Sequence, residues 1–119
     1  MAKVRVLIVD DHHLFTQAVG ALLDQDPEIE VTGCVHDGAS AIAAAHEADV
    51  VLMDMTMPTM DGLEATRRLL ARNPRLRVVA VSGDVEGEAA ARAAGATSFL
   101  HKGDLHGEVA DAVRRAAAA

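Results

Sequence analysis

The sequence predicts an α/β fold in which five strands alternate with five helices, because valine-rich apolar runs and alanine-rich segments take turns along its 119 residues. Residues 3–9 carry five apolar side chains and residues 50–53 are wholly apolar, which is typical of strands buried on both faces of a parallel sheet. Right-handed crossovers through the helices leave few topologies. The best choice at this length is a flavodoxin-like (βα)5 three-layer sandwich whose parallel five-stranded sheet has the order 2-1-3-4-5.

The elements have local start and stop signals. Asp37 can cap a short second helix, and Gly95 is a natural end for the fourth. Strands are predicted at residues 3–9, 30–35, 50–53, 77–81 and 98–101, and helices at residues 12–24, after Asp37, at 63–72, at 86–94 and from Leu105 onward. The apolar faces are assigned to Phe15, Ala18, Val19 and Leu22 on the first helix, Ala39, Ile42 and Ala43 on the second, and Leu105, Val109, Ala112, Val113 and Ala116 on the last.

The length is that of one domain, residues 1–119, with no recognisable linker, repeat or output domain. The alanine-rich end is either a frayed terminus or the place where a longer protein was cut. A formal net charge of −7 argues against direct binding of DNA or RNA. We see no signal peptide and no apolar run of membrane-spanning length. The lone Cys34 lies in an apolar run, which predicts a buried structural thiol and a reducing compartment such as the cytoplasm.

Polar side chains follow four of the predicted strands: Asp10 and Asp11 the first, Asp54 the third, Ser82 the fourth and Lys102 the fifth. The carboxyl ends of parallel strands share one edge, so the topology brings these residues together. Three carboxylates in one cleft repel one another, and a bound Mg²⁺ would resolve this. One carboxylate is then left to attack phosphorus, while Lys102 and the Ser82 hydroxyl hold phosphoryl oxygens.

Each of these residues also has a purely structural interpretation. The Asp10–Asp11 pair can be the N-cap of the first helix, and Asp54 an ordinary acid at a strand end. Ser82 fits a turn, and Lys102 fits an exposed cation. It is far less probable that all five residues lie at one edge of the sheet by chance, so the sequence favours a phosphoryl-transfer site.

At these positions the chain resembles the receiver domain of bacterial two-component response regulators, over essentially its full length. The Asp-Asp-His opening and the short stretch from Ser82 to Phe99 are similar to the NarL/FixJ (LuxR-type) subgroup. The segments that carry the resemblance are Val9-Asp10-Asp11-His12, Asp54-Met55-Thr56-Met57-Pro58, Met60-Asp61-Gly62, Val81-Ser82-Gly83, Gly95-Ala96 and Lys102.

The resemblance implies a role for each site residue. Asp54 would be the phosphoacceptor and one of the ligands of Mg²⁺. Asp11 would bind the metal directly, Asp10 mainly through water, and Thr56 through its backbone carbonyl.

The resemblance also implies a switch. Ser82 would hydrogen-bond the phosphoryl group, and Lys102 would pair with a phosphoryl oxygen and with Asp54. Phe99 would be an aromatic rotamer switch, unless it is a plain core aromatic. One departure is Gly103, which follows Lys102 where the family commonly has proline, so the loop is expected to be more mobile.

The implied function is signal reception. A sensor histidine kinase would supply the phosphoryl group, and the chain would switch to control an output, usually transcription. It would be a phosphoacceptor rather than an enzyme, with self-catalysed uptake and slow autodephosphorylation only. A homodimer is compatible with this function. DNA would be reached only through an output domain absent from this chain, and no membrane contact is expected. Asp84, two residues after the switch hydroxyl, is a second departure that bears on how water reaches the phosphoryl group.

Other functions remain open on the same fold. A haloacid-dehalogenase-like phosphatase would need a second Asp where Thr56 stands. A flavin or nucleotide binder would need a phosphate loop where Asp10 and Asp11 repel phosphate. A receiver-like scaffold that works without phosphorylation is disfavoured by the complete set of acids. Zinc is not predicted, because His12 and His13 are adjacent and lack helical ligand spacing.

Overall fold

The computed structural model describes residues 3–57 and 60–119, so Pro58 and Thr59, in the predicted 55–61 loop, lie outside the described residues. Five strands form one parallel sheet of order β2-β1-β3-β4-β5, which confirms the predicted α/β fold. The strands are β1 (Val4–Val9), β2 (Ile29–Val35), β3 (Val50–Asp54), β4 (Arg77–Ser82) and β5 (Ser98–His101), and the helices are α1 (His13–Asp24), α2 (Gly38–Ala44), α3 (Gly62–Arg72), α4 (Glu88–Ala93) and α5 (Leu105–Ala118). Short 3-10 turns occupy Ala45–Glu47, Val85–Gly87 and Lys102–Asp104.

Alternate side chains of each strand feed two apolar clusters, one on each face of the sheet. In β1, Val6 and Ile8 pack on the face covered by α1 and α5, whereas Leu7 and Val9 pack on the face covered by α2, α3 and α4. The apolar face predicted for α5 is confirmed, since all five of its residues are buried. None of the described helices is both long and apolar enough to cross a membrane.

The apolar faces predicted for the first two helices were partly wrong. In α1 the buried residues are Thr16, Val19 and Leu23, while Ala18 is exposed. In α2 the buried residues are Gly38 and Ala41, and Ala39 and Ala43 are exposed. Both errors have the same cause: alanine is apolar enough to suggest a core position, but its side chain is so small that exposing it to water costs little free energy. Phe15, Leu22 and Ile42, also predicted on these two faces, are partly buried.

Two further expectations need correction. Cys34 is exposed rather than buried, because β2 is the edge of the sheet and Cys34 lies one strand further out than its buried partner Ile8. The fourth helix is shorter than residues 86–94: it covers Glu88–Ala93 and is preceded by a 3-10 turn. Its N-cap, Gly87, offers no side chain to hold a longer helical start.

Two glycines shape the connections next to the carboxyl edge of the sheet. Gly95, after α4, has φ +113°, a conformation that L side chains rarely adopt. Gly62 begins α3 directly beneath the end of β3, and its amide donates to the Met55 carbonyl at 3.1 Å. A Cβ at Gly62 would lie 2.2 Å from the carbonyl oxygen of Asp54 and 2.6 Å from the Met55 Cα. The chain after Asp54 can therefore turn back tightly only because residue 62 has no side chain.

We expect Gly62→Ala to destabilise the fold by about 1–3 kcal/mol, the usual cost of forcing extra atoms into packed backbone. The measurement is urea denaturation, compared with the matched variant Gly87→Ala. A Cβ at Gly87 meets nothing within 4 Å, so that variant should unfold at nearly the wild-type urea concentration. Equal midpoints for the two variants would contradict the close contact.

Candidate functional site

The five polar residues predicted to meet at the carboxyl edge of the sheet do meet there. Asp10 and Asp54 end β1 and β3 and are 1% and 2% exposed, and Ser82 at the end of β4 is 5% exposed. An open cavity of about 460 Å³ lies over this edge. The cavity is lined by Asp11, His12, Asp54, Thr56, Met57, Ser82, Gly83, Asp84 and Lys102.

Lys102 supplies the positive charge of the site. Its Nζ lies 3.0 Å from Asp10 Oδ2 and 3.7 Å from Asp54 Oδ1. The same ammonium lies 4.6 Å from the centroid of the Phe15 ring, so one side of it faces an aromatic surface. Lys102 therefore bridges the two most buried carboxylates, whereas Asp11 lines the cavity.

Backbone amides fix the two buried carboxylates. The Thr56 amide donates to Asp54 Oδ1 at 3.1 Å, and the His12 amide donates to Asp10 Oδ1 at 2.9 Å. Each acid thus accepts from the residue two positions further on, which holds its side chain over the loop that follows the strand. The N-cap interpretation of the Asp10–Asp11 pair is not confirmed, because the N-cap of α1 is His12 and no side chain caps the helix.

His12 and Phe15 belong to the site, although neither is among the predicted site residues. His12 Nδ1 lies 3.0 Å from Asp10 Oδ1 and 3.3 Å from Asp11 Oδ1. One ligand atom from each of Asp10, Asp11, His12 and Asp54 can be chosen so that all lie within 4.8 Å of one another. Helical ligand spacing cannot reveal this cluster, because His12 precedes the helix; its adjacency to two acids at a strand end was the available signal.

The carboxylates are electrostatically unequal. Burial, chiefly, raises the pKa of Asp54 to about 6, with the charge of Asp10 adding to this against the Thr56 amide and Lys102. Burial also acts on Asp10, but hydrogen bonds from the His12 amide and from Lys102 outweigh it and lower the pKa of that carboxyl. Asp10 is thus stabilised in its ionised form, whereas the negative charge of Asp54 is poorly compensated.

The residues present fit a divalent cation. Among the described side chains, Asp10 Oδ2, Asp11 Oδ1 and Asp54 Oδ2 are buried carboxylate oxygens without a hydrogen-bond partner, and of these Asp10 Oδ2 is paired with the ammonium of Lys102. A buried carboxylate oxygen that accepts no hydrogen bond is costly. Hard oxygen ligands beside an open cavity are what Mg²⁺ and similar ions take, with water completing the shell. The acidic cluster can therefore bind a metal ion.

Ser82 and Phe99, the residues predicted to act as the switch, occupy defined positions. Ser82 Oγ accepts a hydrogen bond from the Asp84 amide at 3.0 Å, so the hydroxyl oxygen is engaged with its own loop. The Asp84 carboxylate accepts from the Glu86 amide at 2.9 Å and so supports the turn before α4. Phe99 is partly buried and packs against the cluster on the face of α2, α3 and α4.

Comparison with known proteins identifies the family. A model of the response regulator receiver domain matches residues 6–114. The chain belongs to this family. This receiver domain is 38% identical over 117 residues to the transcriptional regulatory protein LiaR of Bacillus subtilis, covering 95% of the chain and 56% of LiaR. It is 37% identical over 116 residues to the response regulator protein VraR of Staphylococcus aureus, covering 94% of the chain and 56% of VraR. The receiver domain thus spans about half the length of these relatives.

Solved structures agree with this assignment. The signal receiver domain of the putative response regulator NarL from Mycobacterium tuberculosis superposes with a TM-score of 0.92 at 33% identity, over 99% of this chain and 98% of that one. A LuxR-family two-component response regulator from Aurantimonas has the same TM-score at 26% identity, over 98% of this chain and 86% of that one. The predicted NarL/LuxR subgroup is confirmed.

The uncompensated charge of Asp54 should make the metal-free receiver domain less stable as pH rises. The folded-state pKa of about 6 lies above the ordinary value of 3.8, so the folded state holds the proton more tightly than the unfolded state. Stability is then lost between about pH 4 and pH 6, by as much as about 3 kcal/mol. Asp54→Asn carries no such charge and should be the more stable protein at pH 7.5 in chelator, with the advantage gone near pH 4.

Urea denaturation at the two pH values measures this difference. Asp111→Asn, which removes an exposed carboxylate on α5, is the matched control and should track the wild type at both. An advantage of Asp54→Asn that is the same at pH 4 and pH 7.5 would show that its cause is not the charge.

Proposed function

We propose that this receiver domain accepts a phosphoryl group on Asp54 from a sensor histidine kinase, with Mg²⁺ bound, and changes conformation in response. The observation that supports this most directly is the Asp54 carboxylate: it is buried, it lies on an open cavity, and it is flanked by an ammonium and two further acids. A carboxylate whose charge is poorly compensated is a better nucleophile than one held in a closed ion pair.

In the transfer, a carboxylate oxygen of Asp54 forms the new bond to phosphorus while the bond from phosphorus to the kinase histidine nitrogen breaks, and that nitrogen retains the electron pair. Lys102 lies 3.7 Å from the nearer oxygen of Asp54, where it can hold a phosphoryl oxygen and offset its charge. The Thr56 amide keeps the carboxylate oriented throughout. Catalysis here is positioning and charge compensation, as phosphoryl transfer requires.

The metal ligands we propose are Asp11, Asp54 and the Thr56 backbone carbonyl, with Asp10 acting mainly through water. When bound, Mg²⁺ would neutralise the acids and attract a phosphoryl oxygen. Among the described residues, three buried carboxylate oxygens have no hydrogen-bond partner, on Asp10, Asp11 and Asp54, and those of Asp11 and Asp54 support this assignment because Asp10 Oδ2 lies 3.0 Å from Lys102 Nζ. Asp10 already pairs with Lys102 and accepts the His12 amide, which suits it to an indirect role.

The output follows from a shift between two conformations. We propose that Ser82 leaves the Asp84 amide and donates its hydroxyl proton to the phosphoryl group, and that Phe99 turns inward on β5. The domain then acts as a phosphoacceptor switch rather than as an enzyme, with self-catalysed uptake and slow autodephosphorylation. LiaR is named a transcriptional regulatory protein. We therefore propose a cytoplasmic role in which pairing into a homodimer and a DNA-binding output domain outside residues 1–119 carry the signal to transcription.

The acceptor assignment is tested with acetyl phosphate and Mg²⁺. We expect the intact protein to gain the mass of one phosphoryl group, and Asp54→Asn to gain none, because its amide is no nucleophile at this site. Asp111→Asn should be phosphorylated like the wild type. A mass gain in Asp54→Asn would move the acceptor to another residue, and no gain in the folded wild type would favour a phosphorylation-independent scaffold.

The metal assignment is tested by titrating Mg²⁺ into chelator-treated protein and following binding by calorimetry. Asp11→Ala removes the carboxylate that faces the cavity, so we expect its Mg²⁺ affinity to fall by at least about tenfold. The same variant should be more stable than the wild type without metal, since one of three mutually repelling acids is gone. Asp111→Ala is the control. Unchanged Mg²⁺ affinity in Asp11→Ala would exclude Asp11 as a ligand.

A further inference from the structure

His101, the last residue of β5, links the two loops that carry Ser82 and Lys102. Its Nε2 lies 2.9 Å from the Gly83 carbonyl oxygen, in the loop after β4. The Gly103 amide donates to its Nδ1 at 3.1 Å, in the 3-10 turn after β5. One imidazole thus joins a segment 18 positions away to the turn that immediately follows it.

The two partners fix the protonation state of the ring. A carbonyl oxygen can only accept a hydrogen bond and a backbone amide can only donate one. Nε2 must therefore carry the proton and Nδ1 must be bare, so His101 is neutral with both ring nitrogens satisfied. An added proton on Nδ1 would face the Gly103 amide proton and break that contact.

Gly103 lies so close to the His101 ring that a side chain at this position would crowd it. A Cβ at Gly103 would lie 3.0 Å from His101 Nδ1 and 3.1 Å from its Cε1, closer than most real Cβ contacts. A side chain there would push the imidazole away from the turn. The glycine after Lys102 is therefore part of the His101 arrangement, and the turn it forms has a defined hydrogen bond.

The linked positions are each one residue beyond a group that faces the cavity. Gly83 follows Ser82, and Gly103 follows Lys102. Ser82 and His101 are also direct partners in the ladder between β4 and β5. The imidazole thus adds a side-chain tie, just past the end of the sheet, between the two loops proposed to hold phosphoryl oxygens.

We infer that His101 is a positioning residue, which as the neutral Nε2–H imidazole holds the Ser82 loop and the Lys102 turn as one preformed cradle for phosphoryl oxygens. The inference rests on the proposed function and adds to it a residue that touches neither the metal ligands nor the phosphoryl group. Its effect is preorganisation: loops that are already joined lose less freedom when the ligand arrives.

Three variants separate the two hydrogen bonds. Asn at 101 has an oxygen near the position of Nδ1 and can accept from Gly103, but it is too short to reach Gly83. His101→Gln has a terminal amide that can donate a hydrogen bond to the Gly83 carbonyl, but it does not replace the Nδ1 acceptor for the Gly103 amide. Leu makes neither bond. The matched control is His46→Leu, which removes an exposed imidazole in the 3-10 turn after α2, where its Nδ1 lies 3.1 Å from the Ala43 carbonyl oxygen and its Nε2 3.8 Å from Glu47 Oε1.

The readout is the affinity for beryllofluoride, a phosphoryl mimic, in the presence of Mg²⁺, measured by calorimetry on the full chain. We expect His101→Asn and His101→Gln each to bind about fivefold more weakly than the wild type, the factor that corresponds to one net hydrogen bond. His101→Leu should bind at least about tenfold more weakly, and His46→Leu should bind like the wild type. Partial rescue by both amides, with similar melting temperatures among the three, is a pattern that a purely structural role would not produce.

A second readout is independent of any ligand. Long-range ¹H–¹⁵N spectra at neutral pH should show His101 as the Nε2–H tautomer, with a bare Nδ1. The imidazolium or the Nδ1–H tautomer would overturn the inference, as would His101→Leu that binds beryllofluoride as tightly as His46→Leu or more tightly than the wild type. If the wild type itself bound no beryllofluoride, both the proposed function and this inference would fail. If the wild type bound beryllofluoride and substitutions at residue 101 left the affinity unchanged, only this inference would fail.

Discussion

The ammonium of Lys102 lies 3.0 Å from one oxygen of Asp10 and 3.7 Å from one oxygen of Asp54. Two carboxylates that are almost fully buried could not stay ionised side by side without it, because removing one partner of a buried charge cluster leaves a costly uncompensated charge. This contact joins strand ends that are not all neighbours in the sheet. β1 and β3 are neighbours in the sheet, whereas Lys102 follows the edge strand β5, so its side chain must reach back across the end of β4. The turn after β5 therefore decides whether the acidic cluster is held together.

One cation facing three acids leaves the cluster with excess negative charge. Burial acts to raise the pKa of both acids and prevails at Asp54, where the charge of Asp10 adds to it, whereas hydrogen bonds from the His12 amide and Lys102 outweigh burial at Asp10. The excess negative charge explains why a divalent cation fits the cluster. In the proposed function, the buried and poorly compensated charge of Asp54 both lowers the stability of the metal-free fold and suits the carboxylate to bind a metal and attack phosphorus.

The sequence was sufficient for the parts of the site that follow from topology alone. Asp10, Asp54, Ser82 and Lys102 are the residues at strand ends, and the order of a parallel sheet places strand ends at one edge regardless of packing detail. His12, Phe15 and His101 could not be found in this way, because their roles depend on which way a side chain turns over a neighbouring loop. Ala18 and Cys34 were wrongly expected in the core, since helix rotation and edge position are set by tertiary packing that hydrophobicity does not encode.

The geometry of the Ser82 loop limits what any single contact can contribute to the proposed switch. Ser82 Oγ accepts from the Asp84 amide, so moving that hydroxyl to a phosphoryl group exchanges one hydrogen bond for another. A net hydrogen bond contributes about 1 kcal/mol, or about 1.5–3 kcal/mol when its partner is charged. Moving a population from mostly off to mostly on needs roughly 5 kcal/mol of differential binding. Ser82 alone falls short of this. In the proposed switch Lys102 must contribute as well, and the imidazole of His101, which contacts both the Ser82 loop and the turn after Lys102, is the link that we infer between them.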